Sequence, residues 1–404
     1  MTTSLSHHRL DPSDPKWSTT IDHLWQQLGA PHNPELLPPH FVKSTFPRMG
    51  GIVVTFHAHD QLVGVGLLFP RALTPDGTRT YTLRLHEFDQ RLRDDLVTAA
   101  LHPTLVTIYR PRDGVTFAPP ASRPAGVWIG PPQAADLPAI TALYRAVWNS
   151  QPYPTDLFSA EFGPATALVA TVDEHLAGFL LGFFRFGGNP AAPNELAIES
   201  QVMAVDPAYR NHGLATRLKR AQAHTALARG IRCIQWTVDP LQLPNALLNF
   251  NRLHAVAGAF VRGYYPVHNA LNLVTASRFI ITWLPASAHG QRGLIDGGER
   301  LKLADLPSVA VLNSGPQLLP APDDPPAIAI TIPPDWTALQ RRDLALATRW
   351  RDVTDALFTA WVGWAAGKYV IYAVARDTDG NPYLIGRPAG HWVWEEYDER
   401  IGHG

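Results

Sequence analysis

Val205-Asp206-Pro207-Ala208-Tyr209-Arg210-Asn211-His212-Gly213-Leu214-Ala215-Thr216 is the stretch on which the reading of this chain turns. Before it, Ile198 to Val205 is an apolar run of strand character. After it, Leu214, Leu218, Ala221 and Thr225 recur on one face, which predicts a helix from Leu214 to about Arg229, with Gly230 as its stop. A strand that turns directly into a helix presents the first helical N–H groups without intrahelical partners. The helix dipole adds partial positive charge at the same place, and together they suit a pyrophosphate. Gly213 has no Cβ to hold a phosphate oxygen away from the main chain, Ala215 is small, and Arg210 adds a cation. An R-x-x-G-x-A string alone is common and fits a plain strand-to-helix turn. The apolar strand before it and the amphipathic helix after it favour the anion site. No G-x-x-x-x-G-K-[ST] loop is present, and Gly64-Val65-Gly66 lies in a hairpin with no helix after it.

Working outward, Val127-Trp128-Ile129 reads as a short strand, and Asp136 to Val147 as a helix with Leu137, Ile140, Leu143, Tyr144 and Val147 on one stripe. Ala167 to Val172 and Leu176 to Phe184 form a hairpin around Asp173-Glu174-His175. Ile231 to Val238 is the next strand, Pro244 opens a helix, and Phe279 to Trp283 closes the segment. Val53 to Phe56 and Leu62 to Phe69 predict an earlier hairpin. There Asp60-Gln61-Leu62-Val63-Gly64 faintly echoes Glu174-His175-Leu176-Ala177-Gly178, the mark of a degenerate repeat that lacks the phosphate loop. Leu346, Trp350, Val353, Leu357 and Trp361 predict one long helix from about Trp336 to Trp364, its aromatic stripe read as core. Strands Tyr369 to Ala375 and Tyr383 to Ile385 follow. Proline-rich Ala118 to Pro124 and the Gly/Ala/Ser-rich Pro285 to Gly298 mark boundaries, giving segments of about 1–125, 126–285 and 286–404.

The chain has 404 residues, enough for two or three domains, with 46% hydrophobic and 17% charged residues and no signature of disorder. A net charge of −1 gives no broad footprint for nucleic acid or anionic membrane. The single cysteine, Cys233, excludes an intrachain disulfide and a multi-cysteine zinc site, and its apolar setting predicts a buried thiol. The scattered histidines lack ligand spacing, so no metal is expected. No signal peptide and no apolar run of about 18 residues is found, which predicts a cytoplasmic protein without a membrane span. H-E-x-x-H and G-x-S-x-G are missing.

Val205 to Ala215 resembles motif A of the GNAT (Gcn5-related N-acetyltransferase) superfamily, and the order of elements is similar over about residues 126–285. Ala226-Leu227-Ala228-Arg229-Gly230-Ile231, Trp236-Thr237-Val238-Asp239-Pro240-Leu241 and Asn245-Ala246 extend the likeness to a less-studied branch. So do Arg252-Leu253-His254-Ala255-Val256, Ser277-Arg278-Phe279, Trp336, Leu339 and Trp350-Arg351. Some relatives in that branch are associated with N-succinylation of amino acids. The first segment lies outside the resemblance. The resemblance implies an α/β fold with a GNAT-like mixed central sheet flanked by helices. To this the sequence adds an N-terminal accessory α+β lobe and a C-terminal lobe containing one long helix.

The implied activity is transfer of an acyl group from acetyl-CoA, or from succinyl-CoA, to a small primary amine such as an amino acid. It would proceed in a ternary complex, because no covalent nucleophile is visible. The flanking lobes would shape the acceptor pocket or a dimer contact. The resemblance places the pantetheine arm on main-chain groups of Met203 and Val205, with a splay towards the Ile231–Val238 strand and an N–H facing the developing oxyanion. The phosphate-facing amides fall on Asn211, His212, Gly213, Leu214, Ala215 and Thr216. Glu199 stands where several family members carry a general-base glutamate; a water chain or a plain sheet-edge carboxylate are the other readings.

The family's acid is often a tyrosine four residues before a helix-end glycine. That alignment gives Phe250 and His254 here, so the acid is unassigned: His254 is one candidate, with capping or core as its other role, and Tyr264 and Tyr265 are further guesses. Asn245 and Asn249 are placed to meet pantetheine amides. Arg262 and Arg278 are candidates to clamp a substrate or succinyl carboxylate, against surface salt bridging. Phe250 also supports a non-catalytic acyl-CoA-binding or regulatory protein, while an open acceptor groove would favour a protein or peptide N-acetyltransferase.

Overall fold

The computed structural model describes residues 5–88, 92–119, 121–148, 150–162, 167–188, 192, 194–265, 273–295 and 297–390. The chain forms two compact units, Met1–Ala226 and Leu227–Gly404.

The first unit opens with β1 (Leu5–Arg9), α1 (Trp17–Gln27) and a π-helical turn, Phe41–Thr45, running into α2 (Phe46–Arg48). Then come β2 (Ile52–Ala58), β3 (Gln61–Leu73), β4 (Arg79–Glu87), α3 (Asp94–Leu101) and β5 (Leu105–Tyr109). The five strands form a sheet in chain order, antiparallel except for the β4–β5 pair. The unit continues with β6 (Val127–Gly130), α4 (Leu137–Trp148), β7 (Ala167–Val172), β8 (His175–Phe186), β9 (Leu196–Val205) and α5 (Leu214–Leu227), β6 to β9 being an antiparallel meander.

The echo in the sequence falls on two turns of one geometry. His59 and Asp60 have φ of 48° and 63°, Asp173 and Glu174 of 47° and 69°, the left-handed pair that fits a two-residue hairpin to the twist of its strands. Phe56 faces Gly64 and His57 faces Leu62, skipping Val63; Ala170 faces Gly178 and Thr171 faces Leu176, skipping Ala177. Both hairpins therefore carry the same bulge. One core serves both segments: Phe183 on β8 lies 5.3 Å from Phe41 and 5.4 Å from Phe69.

In the second unit, β10 (Ile234–Val238) leads to α6 (Leu243–Ala246), a π-helical turn over Leu247–Arg252, β11 (Val256–Tyr265), β12 (Ala276–Trp283) and α7 (Ala288–Ile295). Short strands β13 (Leu301–Lys302), β14 (Val309–Val311), β15 (Asn313–Ser314) and β16 (Gln317–Leu318) precede β17 (Ala327–Thr331), α8 (Trp336–Arg342), α9 (Leu344–Trp361), β18 (Tyr369–Arg376) and β19 (Pro382–Pro388). Within this unit the sheet order is β14-β17-β19-β18-β11-β12-β10. β12 thus returns between β11 and β10, antiparallel to both.

Three expectations need correction. The long helix is two helices, because Asp343 leaves the helical region (φ −150°) and its carboxylate accepts the Leu346 amide at 2.8 Å as an N-cap. The apolar period continues across that break and so conceals it. The strand expected from Ile231 starts at Ile234, leaving Cys233, buried, just ahead of it. β11 was not anticipated, because Gly258 and Gly263 interrupt its pattern.

Candidate functional site

The loop between β9 and α5 is built from short-range bonds. The Asp206 amide donates to Ala177 O at 2.9 Å, extending the β8–β9 ladder by one step. The Asp206 carboxylate then accepts the Ala208 amide at 2.8 Å and shapes a 3-10 turn over Pro207–Tyr209. Asn211 and Gly213 adopt φ of 66° and 74°. The first backbone bond of the helix runs from Arg217 N to Gly213 O at 3.0 Å, so the amides of Leu214, Ala215 and Thr216 lie ahead of the helical ladder. Arg210, Asn211 and His212 are exposed, and Arg210 has no ion-pair partner among the described residues.

Two observations test whether this turn fits an anion. A Cβ added at Gly213 would meet nothing within 4 Å, so the space over the main chain is open. Thr216, in the first helical turn, is 8% exposed and its hydroxyl has no hydrogen-bond partner, which a buried polar group ordinarily finds. The residues present fit a phosphate-bearing ligand.

β9 carries the next candidates. Met203 faces Leu180 and Val205 faces Gly178 in the ladder with β8. Glu199 is 1% exposed, and both its carboxylate oxygens are taken: Arg48 Nη2 donates to Oε1 at 2.7 Å and Arg185 Nη1 to Oε2 at 2.6 Å. Arg185 Nη2 also donates to Arg48 O at 3.1 Å, so the segment before β2 is tied to the β8–β9 pair. Arg48 was missed by sequence reasoning, and nothing local to it signals the contact.

Beside Glu199, Ser200 accepts a hydrogen bond from Lys219 Nζ of α5 at 2.8 Å, with both side chains buried. Burial pushes the Lys219 ammonium down to about 7 from 10.5, with Glu199 opposing the shift. Below about 7 the folded and unfolded chains both hold this proton; between 7 and 10.5 only the unfolded chain does, so stability rises with pH across that window. Lys219→Met removes the ionisable group. Its stability relative to the native chain is therefore expected to be most favourable near neutral pH and to fall as pH approaches about 10, as urea midpoints at the two pH values will show.

The second unit holds the remaining predicted residues. Asn245 is exposed in the first turn of α6. Asn249 is buried; its Oδ1 accepts from Trp236 Nε1 at 3.3 Å and its Nδ2 has no partner. Phe250 is 1% exposed. His254 follows the π-helical turn at φ 49°, the left-handed conformation usual for a residue just past a helix end. Its ring meets that of His289 edge-on at 5.4 Å, and burial pushes His289 down to about 3.

Arg262 of β11 and Arg278 of β12 join one cluster. Arg278 Nη1 donates to Ser277 O at 3.0 Å, lies 3.6 Å from Asp239 and sits over the Tyr265 ring at 4.9 Å. Arg351 of α9 donates from Nη2 to both Asp239 oxygens at 2.9 and 2.7 Å and stacks on Trp336 at 4.9 Å. Asp355 accepts from Ser277 Oγ at 2.6 Å, and burial raises its carboxyl above the usual range. Sequence reasoning had matched Asp239 and Trp350-Arg351 separately. Their pairing spans 112 residues and has no local signal.

No group of three His, Cys, Asp or Glu side chains is placed to hold a metal ion among the described residues, and no helix there is long and apolar enough to cross a membrane. No curated protein matches the chain. About two fifths of the chain is similar to several solved structures at low identity. The ribosomal-protein-S18-alanine N-acetyltransferase from Escherichia coli is 19% identical, covering 39% of this chain and 92% of that one, with a TM-score of 0.30. yncA from Salmonella typhimurium, solved with its cofactor acetyl-CoA, is 16% identical over 40% and 94%, with a TM-score of 0.32. Diaminobutyrate acetyltransferase EctA from Paenibacillus lautus, solved with L-2,4-diaminobutyric acid and coenzyme A, is 17% identical over 39% and 95%, with a TM-score of 0.28. The stretch from 137 to 248, which contains the β9–α5 loop, matches the acetyltransferase family known as GNAT.

Proposed function

We propose that this chain is an acyl-CoA-dependent N-acyltransferase acting on a small primary amine, with acetyl-CoA or succinyl-CoA as donor. The observation that carries the reading is the strand–turn–helix at Val205–Thr216, with helix amides ahead of the ladder and open space over Gly213. The amides of Asn211 to Thr216 and the Arg210 guanidinium hold the pyrophosphate, and the main chain at Met203 and Val205 holds the pantetheine arm. The bound thioester supplies the activated acyl group.

Glu199 takes up the amine proton through water. Its two oxygens already accept from arginines, yet each keeps a lone pair for a water donor. His254 is assigned no step, since its left-handed φ and buried ring support a helix-end role.

A second reading, a non-catalytic acyl-CoA-binding protein, draws on Phe250, which offers no hydroxyl to a leaving thiolate. Incubating the protein with isotope-labelled acetyl-CoA or succinyl-CoA and a panel of amines separates the two. Label in a product amide is the expected result; tight binding with no turnover on any amine supports the second reading.

A further inference from the structure

We propose that Arg262, Arg278, Arg351 and Asp355 form a binding site for a small zwitterion bearing one ammonium and one carboxylate, the charge pattern of a free amino acid. Arg351 and Asp355 are 2% and 1% exposed, yet Arg351 Nε and Nη1 and Asp355 Oδ1 have no hydrogen-bond partner. Buried polar atoms left this way are costly, and here donors and an acceptor are left side by side, Nη1 and Oδ1 standing 3.6 Å apart. Arg262, its side chain 67% exposed, stands at the open edge of the cluster. It approaches Asp355 at 3.7 Å and Asp352 at 3.8 Å, both longer than a direct hydrogen bond. Asp352 is exposed at the same edge.

The charges fix the ligand class. Three arginines (Arg262, Arg278, Arg351) stand among three aspartates (Asp239, Asp352, Asp355), so the cluster balances without a ligand. A bare carboxylate would gain guanidinium contacts and face Asp352 and Asp355; a bare amine would gain the carboxylates and face the arginines. A molecule carrying both charges pairs each with its opposite. Planar guanidinium groups suit its carboxylate, and Asp355 Oδ1 suits its ammonium. Identifying that zwitterion as the acyl acceptor, and only that step, rests on the acyltransferase reading.

The test uses the full chain without acyl-CoA, titrated by calorimetry with each proteinogenic amino acid, with acetate and with ethylamine. At least one amino acid is expected to bind, and acetate and ethylamine are not. Arg262→Met, a change at an exposed side chain, is expected to weaken that binding by about tenfold or more, with Arg278→Lys as a second, charge-conserving variant giving a smaller loss. Binding by no amino acid, equal binding by the singly charged probes, or binding indifferent to both variants overturns the site. The two proposals fail separately. An amino acid that binds through Arg262 and is never acylated leaves the site standing and removes the acceptor reading. Acyl transfer to an amine in a reaction indifferent to Arg262→Met leaves the acyltransferase reading standing and removes this cluster as its acceptor site.

Discussion

Gly213→Asp is expected to abolish binding of coenzyme A, acetyl-CoA and succinyl-CoA, with a loss of about a hundredfold or more, equivalent to about 3 kcal/mol. The substitution projects a carboxylate from a position where an added Cβ meets nothing within 4 Å beyond its chain neighbours, where the bound phosphates are to lie. The fold has reason to tolerate it. Aspartate adopts a positive φ more readily than most residues, and a negative charge at a helix N-terminus is favourable. Gly213→Ala separates shape from charge: at φ 74° it costs about 1 kcal/mol in backbone strain and adds only a methyl group to open space. Calorimetry with the three ligands, with far-ultraviolet circular dichroism to confirm the fold, checks both. Unchanged affinity in a folded Gly213→Asp protein would remove the phosphate-loop assignment.

Glu199→Ala is expected to destabilise the protein by about 3–5 kcal/mol, because it leaves a buried cation without its counter-charge. Arg185 and Glu199 have side chains only 6% and 2% exposed, and Arg48 adds a second contact. Urea denaturation of the variant measures the loss. The double variant Arg48→Met/Glu199→Ala should lose little beyond Glu199→Ala alone, the mark of residues acting as one unit. A cost below about 1 kcal/mol for Glu199→Ala would mean that the pair is screened as an exposed surface ion pair is, and that the buried ion-pair description is wrong.

Much of the scaffold is legible in the sequence. The strands around Asp173-Glu174 and the helix after Gly213 carry strong local patterns, and the structure places them within a few residues of the expected bounds. The loop was legible for the same reason, since open helical amides follow from a strand handing over directly to a helix. The Asp343 break was not. Aspartate there is compatible with an exposed helical position as well as with a cap, and only the backbone turning out of the helix decides between them.

By itself, then, the sequence determined the succession of strands and helices and the turn at Arg210 to Thr216, because hydrophobic period and helix termini are properties of neighbouring residues. Tertiary structure alone decided which charges meet. Arg48 reaches Glu199 across 151 residues and Arg351 reaches Asp239 across 112. Arginine and aspartate side chains are ordinary surface residues until folding takes them out of water, and the energetic demand for a partner arises only at that burial.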